Sequence, residues 1–389
     1  MKPTLSVCSI VKNESSNIIK MLESIIDFVD EIIITDTGST DNTIELIKKY
    51  NVKVFQYNWD NNFSNARNFC ISNATKDWIL SLDADEELMV NNKDFKDNLK
   101  LKDHVYMINI KNVINNGDEI INCHSTKLFP NFQDFKFFGA VHEYIDREKT
   151  YNKSIIEDIE LKHNGYNLNN RYKKERNISI LIKELEKYSK NDNYYKHLLY
   201  LIGKEYLILH EYDKGLHYYK QFIDLEPDFN QANLINALTD MTKVFYILRN
   251  WGDLNNYADK YHNLLINSPD FCIFYGMHLS EIFKNYQKAI FYYQKALFSN
   301  IIQGVNYTLS SKTYKPNFLI GISYIYLNKP QLAVNYFKKA LLFKKDYNTL
   351  YNLFLAYSMF DKNKGREDLE SFNDILTDNE KYYLKDLIK

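Results

Sequence analysis

No stretch of this 389-residue chain approaches roughly 18 consecutive apolar residues, so no membrane-spanning helix is expected. No signal-peptide core is read at the start either: Met1-Lys2-Pro3-Thr4-Leu5 passes straight into a strand-like run. Cysteine is scarce. Cys8, Cys70, Cys123 and Cys272 are scattered and form no C-x-x-C pair. That argues against a disulfide framework or a zinc knot, and for a reducing, cytoplasmic location. Excess charge of either sign is missing too. The 49 Lys and Arg against 50 Asp and Glu leave a net charge of −1, which excludes a nucleic-acid binder or a polybasic membrane-surface protein driven by bulk charge. What is present is 45% hydrophobic and 25% charged, the profile of a globular protein whose length suggests two or three domains. The 32 Tyr and 24 Phe read as coding bias rather than as a binding surface.

Two rhythms divide the chain. In the first, Leu5 to Val11, Glu31 to Thr35, Val52 to Tyr57 and Trp78 to Leu82 read as short apolar strands. Between them, 14–28, 41–50 and 63–74 have helical spacing, and this alternation predicts a parallel α/β sheet covered on both faces. After Leu82, 104–113 and 119–129 read as strands around the turn Asn115-Asn116-Gly117-Asp118. From about Tyr172 the chain reads helical to its end. Leu199, Ile202, Gly203, Tyr206, Gly215, Tyr219, Phe222 and Pro227 fall at the offsets of a tetratricopeptide (TPR) unit. Ile320, Gly321, Tyr324, Ala333, Phe337 and Ala340 repeat most of that pattern, and Ala289, Tyr293 and Ala296 give a weaker third match. Small residues at these offsets let two helices approach while large ones fill the gap to the next pair.

The chemistry lies in the first half. Leu80-Ser81-Leu82-Asp83-Ala84-Asp85-Glu86-Glu87 runs from a buried strand into acids. Acids at such a strand end sit on the carboxyl edge of an open α/β sheet, where ligands bind. A D-x-D pair can share a hard divalent cation with phosphate oxygens. Asp36-Thr37-Gly38-Ser39-Thr40-Asp41-Asn42-Thr43 follows another strand and opens a helix, so Asp36 stands at the same edge, ready to accept hydrogen bonds from a base or sugar. Phe63-Ser64-Asn65-Ala66-Arg67-Asn68 offers Arg67 as a planar fork for phosphate.

Together with Ser6-Val7-Cys8-Ser9-Ile10-Val11-Lys12-Asn13-Glu14, and in this order, these motifs resemble the nucleotide-diphosphosugar glycosyltransferases of family 2. Within them they are most similar to the branch of lipopolysaccharide-core glucosyltransferases and sublancin-type peptide S-glycosyltransferases, the latter with C-terminal TPR-like helices. The resemblance implies an α/β GT-A (Rossmann-like) mixed-sheet catalytic domain over residues 1–168. An all-α TPR-like domain over 169–389 would follow, binding the acceptor and/or forming a homodimer. It implies that Val11, Asn13 and Glu14 frame the base, that Asp36 binds uracil or ribose, and that Arg67 lies near the diphosphate. Asp83 would approach the ribose or a metal-bound water, and Asp85 would ligate Mn2+ or Mg2+. Phe137-Phe138-Gly139-Ala140-Val141-His142-Glu143 resembles the glycine loop against the donor sugar, with Glu143 the candidate general base and His142 its rival. His163 resembles the strand-end histidine that adds a metal ligand. No Q-x-x-R-W segment occurs, which disfavours a product-extruding synthase. The activity implied is inverting transfer of a hexose, glucose or N-acetylglucosamine, from a UDP-sugar to a polypeptide. A lipopolysaccharide-type or other saccharide acceptor and a non-catalytic, sugar-nucleotide-binding TPR scaffold stay open as alternatives.

Overall fold

The structure, a computed structural model, describes residues 2–99, 104–114, 119–131, 135–145, 152–163, 171–225 and 231–370. The turn 115–118 and Pro227 lie outside the described residues. By compactness the chain forms two units, Met1–Asn233 and Leu234–Lys389.

The first unit opens with β1 (Leu5–Val11), α1 (Ile18–Ile25), β2 (Glu31–Asp36), α2 (Thr43–Ile47), β3 (Lys53–Gln56), α3 (Phe63–Ser72) and β4 (Trp78–Asp83). Its four strands lie parallel in the order β3-β2-β1-β4. They read as continuous apolar runs because both faces are covered. Leu5, Val7, Ile32, Ile34, Trp78, Leu80 and Leu82 pack on one side with Ile18, Met21, Leu22 and Ile25 of α1. Cys8, Ile33 and Ile79 point the other way, onto Cys70 and Ile71 of α3. Residues of a strand thus alternate between two cores, and each buried Leu, Ile or Val contributes about 1.5–3 kcal/mol. The register Val11↔Asp36 and Ile10↔Asp83 aligns the carboxyl ends of β1, β2 and β4.

Beyond β4 the sheet becomes mixed. It continues through β5 (Glu86–Val90), β6 (His104–Ile114), β7 (Glu119–Pro130) and, after a small hairpin of β8 (Phe137–Phe138) and β9 (Tyr144–Ile145), β10 (Asn152–His163). The full order is β3-β2-β1-β4-β7-β6-β10-β5, with β7 antiparallel to β4 and β10 parallel to β6. Two differences from the sequence reading have a local cause. The helices expected over 14–28 and 41–50 shorten to α1 and α2. The backbone at Glu14 is turned toward Asn17 instead (O···N 3.0 Å), and the Asp41 carboxylate accepts from Thr43 N at 3.0 Å. A strand not expected from the sequence, β5, begins within the acids after Asp85, and its first residue Glu86 is 3% exposed.

Helices α4 (Arg171–Leu185), α5 (Asn193–Ile208) and α6 (Tyr212–Asp224) complete the first unit. The remaining helices are α7 (Gln231–Ile247), α8 (Trp251–Lys260), α9 (His262–Leu265), α10 (Pro269–Glu281), α11 (Tyr286–Phe298), α12 (Tyr314–Tyr326), α13 (Pro330–Leu341), α14 (Tyr347–Ser358) and α15 (Lys362–Glu370). The α/β sheet followed by TPR-like helices matches the expected fold class. The repeat residues act as their spacing predicts. A Cβ at Gly203 would overlap the Tyr219 ring, and one at Gly321 the Phe337 ring, so each glycine lets a buried aromatic of the partner helix close in. Among the described residues no helix is long and apolar enough to cross a membrane.

Candidate functional site

The carboxyl ends of β1, β2 and β4 gather most of the residues singled out from sequence. At β1, Val11 O accepts from Thr37 N at 2.9 Å and from Thr37 Oγ1 at 3.1 Å. Asn13 is left-handed (φ 57°); its N donates to Ser39 Oγ at 3.0 Å and its Oδ1 accepts from Thr40 N at 2.7 Å. Glu14 N donates to Thr43 Oγ1 at 2.8 Å. These bonds stitch the loop after β1 to the loop after β2. Asp36 is 2% exposed, and its Oδ1 accepts from Ser39 N at 3.0 Å, closing the turn that follows. Burial raises the Glu14 pKa, and the charges of Asp85 and Asp83 add to that, so Glu14 and the D-x-D pair feel one another's field.

The D-x-D tip divides its acids. Glu86 Oε2 accepts from Asp83 N at 2.9 Å, which folds the chain tightly between β4 and β5. Lys127 of β7 reaches Asp83 Oδ2 and Glu86 Oε2, both at 3.0 Å. The Arg67 guanidinium meets Asp83, Glu143 and Ser81 Oγ, the last at 3.2 Å. Burial works against charge here, yet the two cations hold the Asp83 carboxyl well below the usual carboxylate range. Burial likewise raises the Glu86 pKa, helped by the charge of Asp83. Arg67 is therefore a buried clamp between carboxylates in this structure, not an open fork, and it holds one oxygen of a partly exposed Asp83.

Asp85 meets a different partner. Its Oδ2 lies 3.1 Å from His163 Nε2, and His163 Nδ1 meets Asn112 Oδ1 at 2.9 Å. The register explains the meeting: His163 ends β10 opposite Asn112 of β6 and Glu86 of β5. Burial disfavours a charged His163, but the Asp85 hydrogen bond and charge, with the charges of Glu86 and Asp83, raise its pKa above the ordinary value. A carboxylate facing an imidazole nitrogen whose other nitrogen is oriented by an amide fits a divalent cation. The expected trio of Asp83, Asp85 and His163 does not assemble, and among the described residues no group of three His, Cys, Asp or Glu could hold a metal. The donors that the chain would offer such an ion here are Asp85 and His163.

The hairpin β8–β9 carries the remaining candidates. Gly139 has φ 94° and His142 φ 55°. Helix α3 grips this turn with one face: Ser64 Oγ donates to Gly139 O at 2.6 Å, Asn68 Nδ2 donates to Phe137 O at 2.9 Å, and Arg67 binds Glu143. The spacing i, i+3, i+4 puts these three side chains on one helical face, which is the local sense of the segment Phe63 to Asn68. His142 turns away from α3, and its Nε2 lies 2.6 Å from Glu205 Oε1 on α5. Sequence reasoning missed Lys127, Glu86 and Glu205. The sign that could have found Lys127 is a single cation set directly before the apolar pair Leu128-Phe129 near the end of a strand.

Residues 6–160 match glycosyl transferase family 2, and residues 196–229 and 314–347 match the tetratricopeptide repeat. The SPbeta prophage-derived glycosyltransferase SunS of Bacillus subtilis (strain 168) is 32% identical over 271 residues, 66% of this chain and 62% of that protein. A TPR repeat-containing protein of Synechococcus elongatus is 34% identical over 143 residues, 36% of this chain and 35% of that protein. Among solved structures, S. aureus TarS aligns at 16% identity over 78% of this chain and 95% of that chain, with a TM-score of 0.34. The chain spans 62% of the length of the SunS relative. Sequence motifs, sheet order and family match agree: this chain carries a family 2 glycosyltransferase domain followed by tetratricopeptide repeats.

Proposed function

We propose that this protein is an inverting glycosyltransferase that moves a hexose, glucose or N-acetylglucosamine, from a UDP-sugar to a polypeptide. The observation that carries the reading is the convergence of Glu14, Asp36, Asp83 and Asp85 at one sheet edge, with His163 brought to Asp85 from another strand. Asn13, Glu14 and Asp36 would bind the base and ribose, and Asp85 with His163 would hold Mn2+ or Mg2+. That ion, when bound, neutralises charge on the departing diphosphate. The acceptor oxygen or sulfur attacks the anomeric carbon from the face opposite the diphosphate, and that carbon's bond to the diphosphate oxygen breaks. Glu143 takes the acceptor proton as general base. Arg67, joined to both Asp83 and Glu143, would fix the distance between the donor site and the base. Gly139 would let the turn approach the sugar.

A polypeptide acceptor is favoured by the resemblance to sublancin-type enzymes and by the helical repeats, which supply an acceptor or dimer surface in this reading. Intact-mass measurement of candidate peptides after incubation with a panel of nucleotide sugars and manganese tests it. A hexose or N-acetylhexosamine increment on a Cys, Ser or Thr peptide is expected; increments only on saccharide acceptors would move the assignment to the lipopolysaccharide-type alternative. Binding of a donor with neither hydrolysis nor transfer would leave the sugar-nucleotide-binding scaffold alternative.

A further inference from the structure

Glu205 is an acid where a stacked helix has no use for one. It is 1% exposed on α5. The packing of α5 on α6 uses Gly203 and Leu207 on other faces. On its own face it follows Leu198 and Leu201, both buried and apolar. A carboxylate is almost never fully buried unless paired, so its partners tell why it is there. Lys174 Nζ of α4 lies 3.1 Å from Oε2, and Asn177 Nδ2 of the same helix reaches Oε1 at 3.4 Å. Lys174 alone would balance the charge. The shortest contact is nonetheless with His142 at 2.6 Å, from the turn that carries Glu143. Burial opposes ionisation of Glu205, yet the His142 hydrogen bond and charge, together with Lys174, lower its pKa to about 2.

The turn needs such an anchor. His142 has φ 55°, a backbone region that L side chains enter at a cost and keep only when their surroundings over-determine it. Its neighbour Glu143 is drawn to Arg67 on α3. Adjacent side chains are thus pulled to opposite sides, one by α3 and one by α5, and the backbone between them has little freedom left.

We infer that Glu205 is a positioning residue for the reaction: by holding His142 it sets the carboxylate of Glu143 for proton transfer, so that the first helical repeat completes the active site. This rests on the glycosyltransferase reading above. In it, His142 is the anchor of the turn and Glu143 the group that meets the acceptor.

The test uses the full chain and the variants Glu205→Gln, His142→Asn and both together; Asn tolerates the left-handed backbone. Two quantities are measured: hydrolysis of UDP-glucose and UDP-N-acetylglucosamine with manganese, water serving as acceptor, and amide hydrogen exchange of residues 139–145. Each variant is expected to lose tenfold or more in kcat with the donor KM within twofold. Exchange over 139–145 should speed up tenfold while the amides of β1 and β4 keep wild-type protection. The double variant should be no worse than the poorer single one, because both changes remove one link. Unchanged exchange over 139–145, unchanged kcat, or additive losses would overturn the proposal. If Glu205→Gln does not fold, His142→Asn still decides it, since that side chain is on an exposed turn. If the wild-type chain hydrolyses no donor, the glycosyltransferase reading fails, while the exchange result still rules for or against the link between Glu205 and the turn.

Discussion

The carboxyl edge of the sheet and the helical repeats solve opposite problems. At the edge, charges are packed together: Arg67, Lys127, Asp83, Glu86 and Glu143 form one largely buried network, and left-handed residues stand at Asn13, Gly38, Gly139 and His142. In the repeats the same device recurs with no charge at all, a glycine under a buried aromatic, as at Gly203 with Tyr219 and Gly321 with Phe337. The first region concentrates strain and electrostatics where chemistry is to happen. The second spreads packing along a stack. A substitution at the edge should therefore show up in chemistry and one in the glycine–aromatic packing of the repeats in stability, with Glu205, which reaches the edge from a repeat helix, touching both.

The sharpest split is expected at Asp85. It is partly exposed and bonds only to His163 among the described residues. Asp85→Ala should lower turnover about a thousandfold or more, as loss of a group acting directly on the transition state does, with the urea midpoint hardly moved. Arg67→Met should break the comparison, because this residue belongs to both sides. It leaves Asp83 and Glu143 without their buried partner, at a cost on the order of 3–5 kcal/mol in unfolding free energy, and donor binding should be lost with it. Glu205 gives a smaller, pH-linked effect. Its folded pKa of about 2 is below the value of 4.5 it would otherwise have. The sign follows: its contribution, on the order of 3 kcal/mol, is fully present above pH 4.5 and fades as pH falls toward 2. Acid titration of the unfolding free energy should therefore be shallower in Glu205→Gln than in the wild type over that window. The smallest effect belongs to the repeats. Gly321→Ala overpacks α12 against Phe337 by one methyl and should destabilise by about 1–3 kcal/mol, with donor affinity unchanged.

The same contrast explains what could be read from the chain alone. Asp36, Asp83 and Asp85 were legible because each follows an unbroken apolar strand, and a parallel sheet then delivers all such ends to one edge. The repeats were legible because small and large residues recur at fixed offsets along one helix pair. Lys127, Glu86 and Glu205 were not, since the reason for burying each is a partner far away in sequence: Lys127 meets Asp83 44 residues off, and Glu205 meets His142 63 residues off. Arg67 was found but its surroundings were not, for the same reason; a phosphate fork and a carboxylate clamp have one sequence signature. Strand β5 hid behind its acids, because Glu86 is buried only through Lys127 and the backbone of Asp83.

The proposed reaction requires acids from β2 and β4 to form one nucleotide site with a cation at Asp85. Calorimetry of UDP binding to the full chain, with and without manganese, tests this most directly when Asp85→Ala is titrated beside the wild type. Manganese-dependent binding that is lost in the variant is the predicted result. Binding that is equal in the two proteins, or no binding of UDP to the folded wild-type chain, would contradict it.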